Sequence, residues 1–177
     1  MASHIAFLRG INVSGHRMIP MADLRKVAGE LGFGPVRTHI QTGNVLFDTA
    51  ASEAKIRNTL EPALKAAFGY DIPVAVRSRA ELGNAIADCP YAPADGEVVY
   101  VGFFVSEPDP AQATALLGRL PESTDMVRLG ERHLYVLYRS GVHTSPLSNA
   151  MFERRLKVPV TARNLSTLRR LDALAGS

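Results

Sequence analysis

Apolar positions along the chain alternate between stretches of period two and stretches of period near 3.6, and the switches mark out its elements. "HIAFLR" (4–9) is a short apolar strand. "PMADLRKVAGELG" (20–32) sets Met21, Leu24, Val27, Ala28 and Leu31 on one helical face, with Pro20 suited to the first turn and Gly32 to the C-terminal cap. Two strands follow, "VRTHI" (36–40) and "VLFD" (45–48), separated by a turn that contains Gly43 and Asn44. A helix from Ser52 to Gly69 carries Ile56, Leu60, Leu64 and Phe68 on its apolar side, and Pro62 inside it is expected to kink or divide it. "IPVAVR" (72–77) adds a fourth strand, giving the order βαββαβ.

That order then begins again. After a helix near 79–88 come a strand (98–105), a helix (109–119), the strand pair "MVRL" and "HLYVLY" turning at Gly130, a helix (147–156) and "VPVTAR" (158–163). The last segment repeats the branched residue, the Pro-Val pair and the final arginine of "IPVAVR", and a helix follows each. A βαββαβ unit closing an antiparallel sheet under two helices is the ferredoxin-like arrangement. The expectation is therefore an α+β chain of two tandem ferredoxin-like units with antiparallel sheets. The first spans 1–88 with its following helix and the second 89–177 with a C-terminal helix, the seam lying in "DCPYAPADGE" (88–97).

One connection is too long for its task. The first strand and first helix are joined by about ten residues where two to six usually suffice, and a long loop is commonly functional. In this topology the loop after the first strand and the turn after the second emerge at the same end of the sheet. Arg9, Gly10, Asn12, Gly15 and Arg17 of "RGINVSGHR" are thus expected beside Gln41, Gly43 and Asn44 of "QTGN". Glycines let backbone approach a ligand, a helix N-terminus presents unpaired N–H groups, and arginine offers a planar fork. Such a set suits a small phosphorylated or carboxylated ligand: Arg9 pairs with the anion, backbone N–H groups of 10–15 cradle it, and Asn12, Gln41 and Asn44 orient the rest. In the second repeat the matching segments are only "SEPDP" (106–110) and "GER" (130–132), so the fold itself does not demand the longer loop. Asparagine and glycine are also ordinary turn residues. The alternative is therefore a purely structural loop in a protein–protein adaptor.

Composition narrows the classes. The chain has 177 residues, 46% of them hydrophobic, enough for a substantial core. One cysteine, Cys89, rules out an intrachain disulfide and fits a reducing cytosol. "HIAFL" is too short for a signal-peptide core or a membrane span, so a cytoplasmic protein without membrane association is expected. The net charge of +3 is unevenly spread: residues 1–85 hold 10 basic and 7 acidic groups, 86–125 hold 1 and 7, and 126–177 hold 9 and 3. The basic C-terminal third, with Arg154 and Arg155, makes single-stranded RNA the rival partner, with Tyr100, Phe104 and Tyr135 as stacking rings. The RNA-recognition signature is absent. The five histidines have no metal-ligand spacing, no Gly-x-Ser-x-Gly occurs, and no Walker or dinucleotide glycine pattern is present. No metal is expected, and no motif assigns a reaction or a cofactor.

The runs "LRGINVSGHRMIPMADLR", "IQTGNVLF" and "TARNLSTL", taken together, resemble the bacterial family catalogued as domain of unknown function 1697. Its members read close to LRGINVGG, then IPM-xx-L, then Q-S/T-GN, then T-x-RNW-xT. The matching positions are Arg9, Gly10, Asn12, Gly15, Gln41, Gly43, Asn44, Thr161, Arg163 and Asn164, which makes Arg163 and Asn164 secondary site candidates. The resemblance implies a tandem ferredoxin-like fold and brings no established activity. Ser14 departs from the family's glycine and Leu165 from its tryptophan, so an aromatic stacking role there is weakened. Asn164 also reads as a helix N-cap, with Leu165, Leu168, Leu171 and Leu174 as a packing stripe.

Overall fold

The structure, a computed structural model, describes residues 2–177. The chain forms two compact units, one comprising residues up to Gly83 together with Arg170–Ser177, the other Asn84–Arg169. Each contains one four-stranded antiparallel sheet.

In the first unit, β1 (His4–Leu8), α1 (Met21–Glu30), β2 (Arg37–His39), β3 (Asn44–Phe47), α2 (Glu53–Phe68) and β4 (Val74–Ser78) follow in order, and the sheet runs β2-β3-β1-β4; α3 (Arg79–Ala87) begins in this unit and ends in the second. β1 is the centre. It pairs with β3 in the register Ala6↔Val45 and with β4 in the register Ala6↔Val76. Alternate strand residues Ala6, Leu8, Val45, Phe47, Val74 and Val76 build the core with Leu24 and Ala28 of α1 and Ile56, Leu60 and Leu64 of α2. The opposite sheet face, with Ile5, Phe7 and Leu46, is buried as well.

The second unit repeats the topology. β5 (Val98–Phe104), α4 (Pro110–Leu117), β6 (Met126–Leu129), β7 (His133–Tyr138), α5 (Asn149–Leu156) and β8 (Val160–Asn164) give the order β6-β7-β5-β8, and α6 (Leu165–Ala175) begins in this unit and ends in the first. Phe104, Leu134, Val136, Tyr138 and Val160 pack on Leu116 of α4 and Met151, Phe152 and Leu156 of α5.

Local chemistry fixes the boundaries. The Ser52 hydroxyl caps α2 by accepting from Lys55 N, and Gly69 ends it at φ +77°. Pro62, expected to kink or divide this helix, does not divide it: α2 runs without a break from Glu53 to Phe68. Proline removes one donor, the partner of the Asn58 carbonyl. Both residues are exposed, so water can take up that carbonyl, while Ile56, Leu60 and Leu64 hold the turns on either side to the sheet.

The Pro-Val repeat has a structural meaning in each unit. The Glu61 carboxylate on α2 accepts from Val74 N at 2.8 Å, and the Glu153 carboxylate on α5 accepts from Val160 N at 2.8 Å. In both cases a helix acid ties down the first strand residue after the proline. The proline carbonyls accept too, Pro73 from Arg9 N and Pro159 from Val105 N, each at 3.0 Å.

Candidate ligand-binding site

The loop after β1 leaves the sheet at Arg9 and reaches α1 at Pro20 by a succession of left-handed residues. Gly10 (φ +66°), Asn12 (+54°), Ser14 (+51°), Gly15 (+76°) and Arg17 (+48°) all lie there. Val13 and His16 form an isolated antiparallel bridge, closed by His16 N donating to Val13 O at 2.9 Å. Ser14 and Gly15, both at positive φ between them, make this a miniature hairpin with a type I′ turn.

Asn12 is the node that joins loop to turn. Its Nδ2 donates to Ile19 O at 3.0 Å and to Gln41 O at 2.8 Å, and its Oδ1 accepts from Ile19 N at 2.7 Å. Both amide hydrogens are thereby engaged, and the 9–17 loop is pinned against the 41–44 turn. Gly43 completes the junction. Its carbonyl accepts from Leu8 N at 2.8 Å, and a Cβ on it would lie 2.8 Å from both Ile11 Cδ1 and Leu8 Cβ. Asn44, fully buried, donates from Nδ2 to His39 O at 3.0 Å and to Thr42 Oγ1 at 3.1 Å.

The expected residues therefore come together but divide by role. Asn12, Gly43 and Asn44 build the frame. Gly10, Gly15 and Gln41 are exposed, and Arg9 and Arg17 are half-buried, with the Arg17 guanidinium Nη1 3.7 Å from where a Gly10 Cβ would sit. Neither segment 9–20 nor segment 36–47 contains an acidic residue, while the two supply Arg9, Arg17 and Arg37. Asp48 directly follows the second segment and Asp23 lies in the first turn of α1, where Pro20 gives the helix no side-chain cap.

The structure adds an apolar component that sequence reading passed over. Val13, Met18 and Ile40 are 56%, 57% and 46% exposed, and each directly adjoins one of the three residues joined at the Asn12 node. Ile40 also takes φ +51°, rare for a β-branched residue. That twist ends β2 at His39, one residue before the expected end.

Residues 1–135 match the family described as Protein of unknown function (DUF1697). The chain belongs to this family. Both the decorated loop and its partner turn lie within the matched stretch, whereas the "TARNLSTL" segment lies beyond it. Among solved structures, a conserved bacterial protein, SP0830 from Streptococcus pneumoniae, has the same fold: 21% identity, a TM-score of 0.76, and coverage of 100% of this chain and 99% of that one. No curated protein matches the chain.

The secondary candidates belong to the second unit. Asn164 Oδ1 accepts from Ser166 N and Ser166 Oγ, both at 2.9 Å, which is N-cap geometry at the start of α6, and Leu165, Leu168 and Leu171 are buried. Arg163 is 7% exposed; its Nη1 donates to Thr161 Oγ1 at 2.8 Å and to Ala162 O at 2.9 Å. Burial lowers its pKa to about 10. Its counterpart in the repeat, Arg77, is 2% exposed and donates to Val76 O at 2.6 Å. Sequence reading registered the repeated final arginine but not that both copies are buried. Their signal is position: each follows the Pro-Val pair on the edge strand of its sheet, in a mostly buried stretch.

Among the described residues, no group of three or more His, Cys, Asp or Glu side chains is placed to hold a metal ion. No described helix is long and apolar enough to cross a membrane.

Proposed function

We propose that the 9–17/41–44 end of the first unit binds a small molecule carrying a phosphate or carboxylate. The observation that carries this reading is the convergence of Arg9 and Arg17 with exposed glycine backbone on a frame that holds four non-glycine residues, Asn12, Ser14, Arg17 and Ile40, in the left-handed region. Such strain costs on the order of 1 kcal/mol or more per residue and concentrates where function maintains it. Arg9 and Arg17 pair with the anion, the backbone of Gly10 to Gly15 approaches it, and the Gln41 side chain orients the remainder. Asn12 and Asn44 act through the frame rather than on the ligand. Val13, Met18 and Ile40 give an apolar body somewhere to lie, which favours an amphipathic anion over a bare inorganic one. The unpaired cysteine favours action in the cytoplasm.

The same apolar trio supports a second reading, the adaptor, in which a protein segment docks on Val13, Met18 and Ile40. The RNA reading draws less support. Phe104 and Tyr135 are 3% exposed, Tyr135 donating its O–H to Ala85 O at 2.8 Å, and Tyr100 packs edge-on against Tyr138 at 5.7 Å. Rings engaged in this way are not a stacking platform.

A thermal-shift panel of nucleotides, sugar phosphates and small carboxylates tests the proposal. A compound that binds the native state raises the melting temperature by mass action. The expected result is a shift that Arg9→Ala and Arg17→Ala each abolish while Arg57→Ala, on α2, retains it. A panel with no responder, or a responder indifferent to both loop substitutions, contradicts it.

A further inference from the structure

The second unit contains a cavity that the loop proposal does not use. It measures about 650 Å³, within the range of small-molecule sites, and lies where one face of α4 meets the end of α5 and the residues just beyond. Ala111, Ala115 and Leu116 form an apolar wall. Arg119, Arg154, Arg155 and Lys157 supply four cations, and no carboxylate lines the cavity.

This concentration is not a by-product of a basic unit. Residues 84–169 hold nine basic and nine acidic side chains, so the unit is neutral overall and the cations have been gathered locally. The neighbouring acids are engaged elsewhere: Glu153 accepts from Val160 N, and Asp109 caps α4 by accepting from Ala111 N and Gln112 N. Among the described residues none of the four cationic side chains makes an ion pair or a hydrogen bond, and Arg155 Nη1 is buried without a partner. A buried guanidinium N–H left unsatisfied is costly, so burial of Arg155 here is not offset by any partner within the chain. The backbone contributes as well. Lys157 ends α5 at φ +60°, a left-handed cap usually given to glycine, and so brings a third cation beside Arg154 and Arg155.

We propose that this cavity is a second anion site, for a small molecule bearing two or more phosphoryl groups. One phosphate does not match four cations, whereas adjoining phosphoryl groups present several oxygens to several guanidinium forks. The apolar wall accommodates the uncharged part of such a molecule.

Titration calorimetry of the full chain with sodium tripolyphosphate, near physiological salt, tests this. The expected result is a saturable one-to-one isotherm. Arg155→Gln and Arg119→Gln should each weaken it about tenfold or more, and Arg155→Lys, which keeps the charge but loses the fork, should weaken it less. Arg169→Gln, the same charge change outside the cavity, should leave it unchanged. Circular dichroism of each variant excludes misfolding as the cause. Absence of saturable binding overturns the proposal. So does equal weakening by Arg169→Gln, which would mean diffuse charge attraction, or loss confined to Arg9→Ala, which would assign the anion to the loop. Binding of a single-stranded RNA dodecamer with no response to tripolyphosphate would also overturn it, in favour of nucleic acid.

Discussion

At the scale of single residues, the loop and turn can be taken apart by substitutions that separate frame from ligand contact. Gly43 and Gly15 have similar backbone angles, φ +83° and +76°, but different surroundings. A methyl at Gly43 meets Ile11 and Leu8 at 2.8 Å, whereas one at Gly15 meets nothing within 4 Å. Gly15→Ala should therefore cost only the left-handed term, roughly 1 kcal/mol, and Gly43→Ala that plus overpacking, roughly 2–4 kcal/mol in all, read from urea unfolding. Ile40 offers the opposite case. Asparagine tolerates its φ of +51°, and the side chain is 46% exposed, so Ile40→Asn should stabilise the protein by roughly 0.5–1 kcal/mol. If its apolar surface serves the ligand, the same variant binds the thermal-shift responder more weakly. The meeting of loop and turn was legible in sequence, because strand order puts both at one end of the sheet and the long loop, with its arginines and glycines, has a plain counterpart in the second unit. Its division of labour was not. That Asn12 would bond Ile19 and Gln41 is decided by a contact 29 residues away in the chain, which local pattern does not encode.

At the scale of elements, the βαββαβ order could be read twice because the apolar period changes at each junction and glycines, prolines and capping residues mark the ends. What local pattern missed came from tertiary packing. Pro62 reads as a kink or a break, but the buried stripe Ile56, Leu60 and Leu64 holds α2 unbroken across it. The repeated Pro-Val pair was visible, while the helix acid that completes it in each unit was not. Replacing Glu61 by alanine leaves Val74 N without its acceptor, and Glu153→Ala does the same to Val160 N. Each should cost about 1–3 kcal/mol in chemical denaturation, with similar values expected for the two copies. The tyrosines of β7 add a pH signature. Tyr138 donates to Leu147 O at 2.7 Å, and burial above all, with the Asp125 charge next, pushes its pKa from 10.0 up to about 12. A folded-state pKa raised in this way favours the protonated form, so the contribution is complete below pH 10 and is lost as pH rises toward 12. Tyr138→Phe should flatten that alkaline loss in a stability-versus-pH profile.

At the scale of the whole molecule, one sheet topology occurs twice with different embellishment. The first unit spends its added residues on a strained loop with arginines at its rim, and the second gathers cations between two helices of a neutral unit. The fold alone does not account for the loop, since the matching connection in the second unit, between β5 and α4, is short. The most direct test of ligand binding at the loop is an amide chemical-shift titration of the isotope-labelled full chain with the strongest thermal-shift responder. Anion binding at that end predicts saturable shifts centred on the amides of residues 10–15 and 41–44, absent in Arg9→Ala. Saturable shifts that leave those amides unmoved would contradict it.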